Sequence, residues 1–225
     1  MTAPSAKGLF RATGKTSKPV VVQLLDGTLA KTGEGLAREK DEFYPTPPEP
    51  TRAFLHAEME RLRQIGTIWE PAAGDGAMVR EMKAVGLNCF ASDLVDRGIG
   101  AVIRDFYDFD VSDRPSRAIV TNPPFAECGW GNGRARWLRH ALDTLDVDYM
   151  GLLLNWSWPG AGGLAQFWAA HPPARVYLMR WKIDFTGQGA PPMLHGWFVW
   201  DKLHQGESVL RMLDRADARQ SEMTF

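Results

Sequence analysis

Glycine and proline punctuation between residues 67 and 125 constrains this chain more than any other feature. A short apolar run, Thr67-Ile68-Trp69, leads into Glu70-Pro71-Ala72-Ala73-Gly74-Asp75-Gly76, and an amphipathic segment, Ala77 to Ala84, follows. That order is a strand, a glycine-bearing turn and a helix start. Gly74 and Gly76 carry no Cβ, so a ligand can approach the backbone closely there. About 50 residues further on, a second apolar run, Ala118-Ile119-Val120-Thr121, ends at Asn122-Pro123-Pro124-Phe125. This stretch presents an amide, two carbonyls freed of neighbouring N–H groups and an aromatic ring. The first piece suits a cofactor, and the second suits a planar polar base.

The rest of the chain frames these two turns. Residues 1–18 mix Thr, Ser, Gly and Lys without periodicity and read as a basic, flexible tail. Val20 to Leu25 reads as a short strand closed by the turn dipeptide Asp26-Gly27. Residues 28–41 are polar and punctuated by glycine, so residues 1–40 are expected to be a flexible arm and residues 41–225 a single domain. Thr51 reads as the N-cap of a helix from Arg52 to about Gln64. Strands are expected at 67–70, 87–92, 101–104, 117–121, 149–154, 175–179 and 197–200, and helices at 77–85, 134–145, 164–170 and 208–218. Seven strands interleaved with helices give an α/β domain with a mostly parallel, Rossmann-like sheet. The last two strands have no helix between them, so the final one is expected to run antiparallel.

Composition narrows the classes. A chain of 225 residues with 44% hydrophobic content can bury a sizeable core, and a formal net charge of -1 confines any nucleic-acid surface to a local patch. Cys89 and Cys128 make neither a disulfide framework nor a metal cluster, so a reduced, cytoplasmic protein without a metal is expected. No run approaches the roughly 20 apolar residues of a membrane span. Of nine tryptophans, all but Trp69 lie from Trp130 onward, which predicts an aromatic contact surface in the second half.

In an open α/β sheet, ligands bind at the carboxyl ends of the strands. Glu70 to Gly76, Asp93, Asp105-Phe106 and Asn122 to Phe125 all fall at such ends. Asp93 follows the first turn by about 20 residues, the spacing of a carboxylate that bonds ribose hydroxyls. Asp105 can then accept from an adenine amino group, with the Phe106 ring beside it. Together they imply a nucleoside-bearing cofactor. Neither phosphate-cradling glycine signature occurs at the turn, which disfavours a pyrophosphate.

With Phe43-Tyr44-Pro45-Thr46-Pro47 upstream, this order resembles the class I S-adenosylmethionine-dependent methyltransferases, and within them the DNA N6-adenine methyltransferases. The resemblance covers most of residues 43–200. It implies that Tyr44, Thr46 and Pro47 wrap the methionine part of S-adenosylmethionine. It also implies that Glu70, Pro71, Ala72, Gly74, Asp75 and Gly76 line the cofactor site, with Asp93 at the ribose and Asp105 and Phe106 at the adenine. Asn122, Pro123, Pro124 and Phe125 are the implied catalytic residues, acting on an adenine flipped out of double-stranded DNA. Similar Asn-Pro-Pro-aromatic motifs occur in RNA N2-guanine and protein glutamine methyltransferases, so those substrates stay open, as does a catalytically silent binding fold.

Trp130, Arg134 and Arg136 form a candidate substrate surface suited to phosphates and unstacked bases. A solvated helix face with core tryptophans accounts for the same residues. The chain after Phe125 has the length needed to complete the sheet, so no large recognition domain is expected. Recognition then rests on residues 126–137 and 184–195 or on a partner, with short or relaxed site specificity like that of small stand-alone phage and prophage methyltransferases. Methylome sequencing in a methylation-free host is predicted to show short or degenerate sites, and one long, strictly defined motif would refute this.

Overall fold

The computed structural model describes residues 21–23, 29–31, 45–129, 135–185, 187 and 193–222. The chain divides into two compact units, Met1–Lys40 and Asp41–Phe225. In the first, β1 (Val21–Gln23) pairs antiparallel with β2 (Leu29–Lys31). The expected strand is present, and it has a partner within residues 28–41.

The second unit is built on an eight-stranded sheet. Its strands are β3 (Thr67–Glu70), β4 (Asn88–Asp93), β5 (Val102–Ile103), β6 (Ala118–Thr121), β7 (Tyr149–Asn155), β8 (Arg175–Met179), β9 (His195–Asp201) and β10 (Val209–Leu213). The spatial order is β10-β8-β9-β7-β6-β3-β4-β5. All pairs are parallel except those made by β9, which runs antiparallel to both β7 and β8. The chain goes from β3 outward to β4 and β5, then returns to lay β6 on the other side of β3. The carboxyl ends of β3 and β6 therefore flank the switch point, the place at which open α/β sheets bind ligands.

Side chains alternate between two apolar layers. Ile68, Val120, Leu153, Trp197 and Val199 face one layer with α1 (Pro48–Ile65) and α2 (Ala77–Ala84). Trp69, Ile119, Met150, Leu152 and Phe198 face the other, with α4 (Arg136–Arg139) and α5 (Ala165–Ala170). This period of two is what a strand covered on both faces requires. Gly151 has a packing reason: a Cβ there would meet Phe54 Cζ at 2.7 Å, and Phe54 stacks on Trp197 with centroids 4.1 Å apart.

Four expectations are corrected. α1 starts at Pro48 with Pro47 as its N-cap, and Thr51 is buried inside the helix with its hydroxyl unpartnered. Proline is tolerated there because first-turn N–H groups have no acceptor within the helix. Residues 209–213 are the eighth strand rather than part of a terminal helix, because β8 offers an open edge whose backbone groups pair with β10 in parallel register. Of the tryptophans expected on a contact surface, Trp137, Trp158, Trp197 and Trp200 are buried in the core, Trp156, Trp168 and Trp181 pack half-buried against it, and Trp130 lies outside the described residues. The segment expected as one helix over 134–145 is, from Arg136, one α-turn followed by a π-turn over His140–Thr144, closed by Leu145 N–H donating to the His140 carbonyl at 2.8 Å.

A polar network ties α1 to the amino-terminal edge of the parallel strands. Glu58, 4% exposed, accepts from Tyr149 Oη at 3.0 Å, from Tyr177 Oη, and from Arg175 Nε and Nη2 at 2.7 and 2.8 Å. Arg175 and Arg61 both reach Asp201, each at 3.0 Å. Removing one member leaves the opposite charge buried and uncompensated, a loss of about 3–5 kcal/mol. Glu58→Ala is therefore expected to destabilise the fold by about that amount. Urea denaturation would show it as a lowered midpoint, and an unchanged midpoint would refute the role.

Candidate active site

Pairing at the switch point brings the two glycine- and proline-bearing turns together. β3 and β6 are in register at Trp69 and Ile119, so Glu70 and Thr121 end neighbouring strands. Thr121 Oγ1 donates to Glu70 Oε1, which also accepts from Ala72 N–H at 3.3 Å. Glu70 is 1% exposed, and its Oε2 is buried without a partner. Burial raises its carboxyl from 4.5 to about 8, against the lowering effect of those two hydrogen bonds. A neutral, half-satisfied acid thus sits at the head of the turn.

The turn itself is held from β4. Gly74 and Gly76 adopt φ of 55° and 79°, the left-handed region that favours glycine. Gly74 N–H donates to Asp93 Oδ2 at 2.7 Å and Ala73 N–H to the Ser92 carbonyl at 3.1 Å. Asp93 Oδ1 accepts from Val95 N–H at 2.9 Å, so this carboxylate clasps the turn and keeps further acceptor capacity. Asp75 Oδ1 accepts from Ala77 N–H at 3.0 Å, which serves the first turn of α2. Pro71 is buried and Ala72 half-buried beside them.

Asn122 follows β6 directly. Its Nδ2 donates to Thr46 Oγ1 at 3.0 Å, and its Oδ1 is buried without a partner. Thr46, 8% exposed, precedes Pro47 at the start of α1, so the upstream Pro-rich segment reaches the Asn122 turn. Pro123 is buried, Pro124 is the N-cap of α3 (Phe125–Cys128), and Phe125 opens that helix half-buried. The Phe125 ring lies 6.4 Å from the His195 ring at 29°.

Asp105 caps the 3-10 turn Phe106–Asp108 by accepting from Tyr107 N–H at 3.0 Å. Phe106 is 7% exposed and stacks on Trp137 with centroids 4.2 Å apart, so its ring is packed into the core. The Arg136 guanidinium lies 3.7 Å over the Tyr107 ring and 3.5 Å from Glu127, which also accepts from Tyr107 Oη at 2.9 Å. Tyr44, Trp130 and Arg134 lie outside the described residues.

Sequence reasoning passed over Thr121 and His195 as site residues. A threonine ending an apolar strand just before Asn122, and a histidine opening an apolar one, are the signals they left. Among the described residues no group of three or more His, Cys, Asp or Glu is arranged to hold a metal, and no helix is long and apolar enough to cross a membrane.

The fold has known counterparts. A candidate class I S-adenosylmethionine-dependent methyltransferase from Listeria monocytogenes superposes with a TM-score of 0.53 at 11% identity, over 75% of this chain and 65% of its own. The methyltransferase subunit of a type I restriction-modification system from Streptococcus thermophilus gives 0.53 at 15%, over 76% and 47%. A candidate RNA methyltransferase from Pyrococcus horikoshii gives 0.52 at 15%, over 75% and 93%. The described unit thus has the α/β, Rossmann-like fold of class I methyltransferases, the class whose cofactor is S-adenosylmethionine. This chain spans 65% and 47% of the first two counterparts. No protein-family model and no curated protein sequence matches the chain.

The Glu70 carboxyl gives a stability test. Its folded value lies above its ordinary one, so the folded state holds this proton more tightly than the unfolded chain does. The contribution is complete below about 4.5 and is lost as pH rises towards about 8. Glu70→Gln is expected to flatten that decline. Thermal melts of both proteins across this range check it, and parallel curves would refute it.

Proposed function

We propose that this chain transfers a methyl group from S-adenosylmethionine to the N6 amino group of adenine in DNA. The observation that carries the reading is Asn122 Oδ1, a buried acceptor with no partner in the protein, on an amide held from its other side by Thr46. An unsatisfied buried acceptor costs about 1–3 kcal/mol, and a ligand donor at that point removes the cost. An aromatic amino group is such a donor.

The residues present fit the cofactor. Gly74 carries no side chain at the half-buried crown of the turn, Asp93 retains acceptor capacity for ribose hydroxyls, and Glu70 Oε2 has no partner in the protein. When bound, the cofactor supplies a sulfonium-activated methyl group. Asn122 Oδ1 and the Pro123 carbonyl accept the two N6 hydrogens. The nitrogen lone pair, otherwise delocalised into the ring, becomes localised and would bond to the methyl carbon as the C–S electron pair stays with sulfur, and N6 would then release one of its two hydrogens to solvent as a proton. Preorganised acceptors facing a developing positive charge act as an oxyanion hole does with the sign reversed. Phe125 offers its ring to the face of the base, and such stacking contributes about 1–3 kcal/mol. The base reaches this pocket by leaving the duplex. The methyltransferase subunit of a restriction-modification system among the structural counterparts supports DNA as substrate, and the candidate RNA methyltransferase makes RNA the second substrate to test.

The deciding experiment incubates the protein with S-adenosylmethionine and unmethylated duplex DNA, followed by nucleoside mass spectrometry. N6-methyl-2′-deoxyadenosine is expected, with none from Asn122→Ala, whose cofactor affinity should persist. Thr46→Val should lower kcat about tenfold, matching loss of one ~1.4 kcal/mol hydrogen bond, and Thr46→Ser should restore it. Cofactor binding without DNA product, or methyl transfer to RNA or protein glutamine instead, would overturn the reading.

A further inference from the structure

His195 is the first residue of β9 and pairs with Asn155, the last residue of β7. That register puts it at the carboxyl edge of the parallel strands, the edge that carries Glu70 and Asn122. It is 2% exposed, and its ring lies between Phe125, at 6.4 Å and 29°, and Phe185, at 5.2 Å and 72°. Its Nδ1 is buried without a hydrogen-bond partner. Burial lowers the imidazole to about 4, so the ring is neutral at pH 7 and carries one N–H.

A buried polar atom without a partner in a native structure calls for an explanation. Three stand together here, since Glu70 Oε2, Asn122 Oδ1 and His195 Nδ1 all lie at one edge of the sheet. We infer that His195 reads the base that rests on Phe125, its Nδ1–H donating to an acceptor nitrogen of the purine ring. The inference rests on the proposed methyl transfer to a base. The donor role follows from the base's own chemistry: once the N6 hydrogens go to Asn122 and Pro123, the remaining edge atoms of adenine are acceptors. A neutral imidazole N–H matches them, and it discriminates against a base that presents a donor at that point. Nδ1 has no exposed surface, so seating the base displaces a neighbouring side chain.

The test uses the full chain with tritiated S-adenosylmethionine and unmethylated plasmid DNA, and cofactor affinity measured separately by calorimetry. His195→Phe keeps an aromatic ring and loses the donor. His195→Asn returns an amide N–H near the Nδ1 position. The expected result is a tenfold or larger fall in kcat/KM for DNA in His195→Phe, with cofactor affinity within twofold of wild type and substantial recovery in His195→Asn. The inference is overturned if His195→Phe retains wild-type kcat/KM. It is equally overturned if both variants lose cofactor affinity together with activity, since that marks a packing role. Wild-type protein that binds cofactor and methylates no DNA overturns the functional reading itself, and the inference with it.

Discussion

The site depends on one pairing at the centre of the sheet. β3 and β6 meet at Trp69 and Ile119, and the Thr121 hydroxyl closes onto Glu70 where both strands end. Nothing in local sequence joins residues separated by about 50 positions. The join comes from the chain reversing its direction of travel across the sheet, and such a reversal is where open α/β sheets bind ligands. Both turns inherit their positions from it. Gly74 is clasped by Asp93 from β4, and Asn122 is held by Thr46 from the start of α1, so four separate segments converge on one point.

The two edges of the sheet treat polar groups in opposite ways. At the amino-terminal edge, Glu58 gathers Tyr149, Tyr177 and Arg175, and Asp201 gathers Arg61 and Arg175. These charges are paired and hydrogen-bonded, the condition under which buried charge is tolerated. At the carboxyl edge, Glu70, Asn122 and His195 each keep one buried polar atom without a partner. One edge therefore anchors the fold, and the other keeps buried hydrogen-bonding capacity unused within the protein. The stability given up at the second edge is a few kcal/mol, which a paired network and two apolar layers can offset.

Legibility in the sequence followed the range of the interactions involved. The Glu70–Gly76 turn and the strands around it were readable because apolar runs, glycines and a helix start are local signals, and β3 and α2 lie where those signals put them. Thr51 misled because a good capping residue was outranked by two prolines three and four positions earlier. Residues 209–213 misled because Val209-Leu210-Arg211-Met212-Leu213 is an apolar run that suits a helix as readily as a strand; the open edge of β8 decides it through backbone pairing. The tryptophans misled because aromatic content is the same whether the rings face a partner or a core. His195 was passed over because what singles it out is burial beside Phe125, which no spacing encodes.

By itself the sequence determined the class of sheet, the two turns and the residue types that the turns present, since each depends on backbone preferences within a few positions. Tertiary structure alone decided which of those polar atoms are satisfied and which are not. Asn122 has its amide nitrogen taken by a residue 76 positions earlier and its oxygen left unpaired. Glu70 becomes a neutral acid near pH 7 because the fold removes it from water. Hydrogen-bond partnership and desolvation are properties of the whole packed chain, and the reading of the site turns on them.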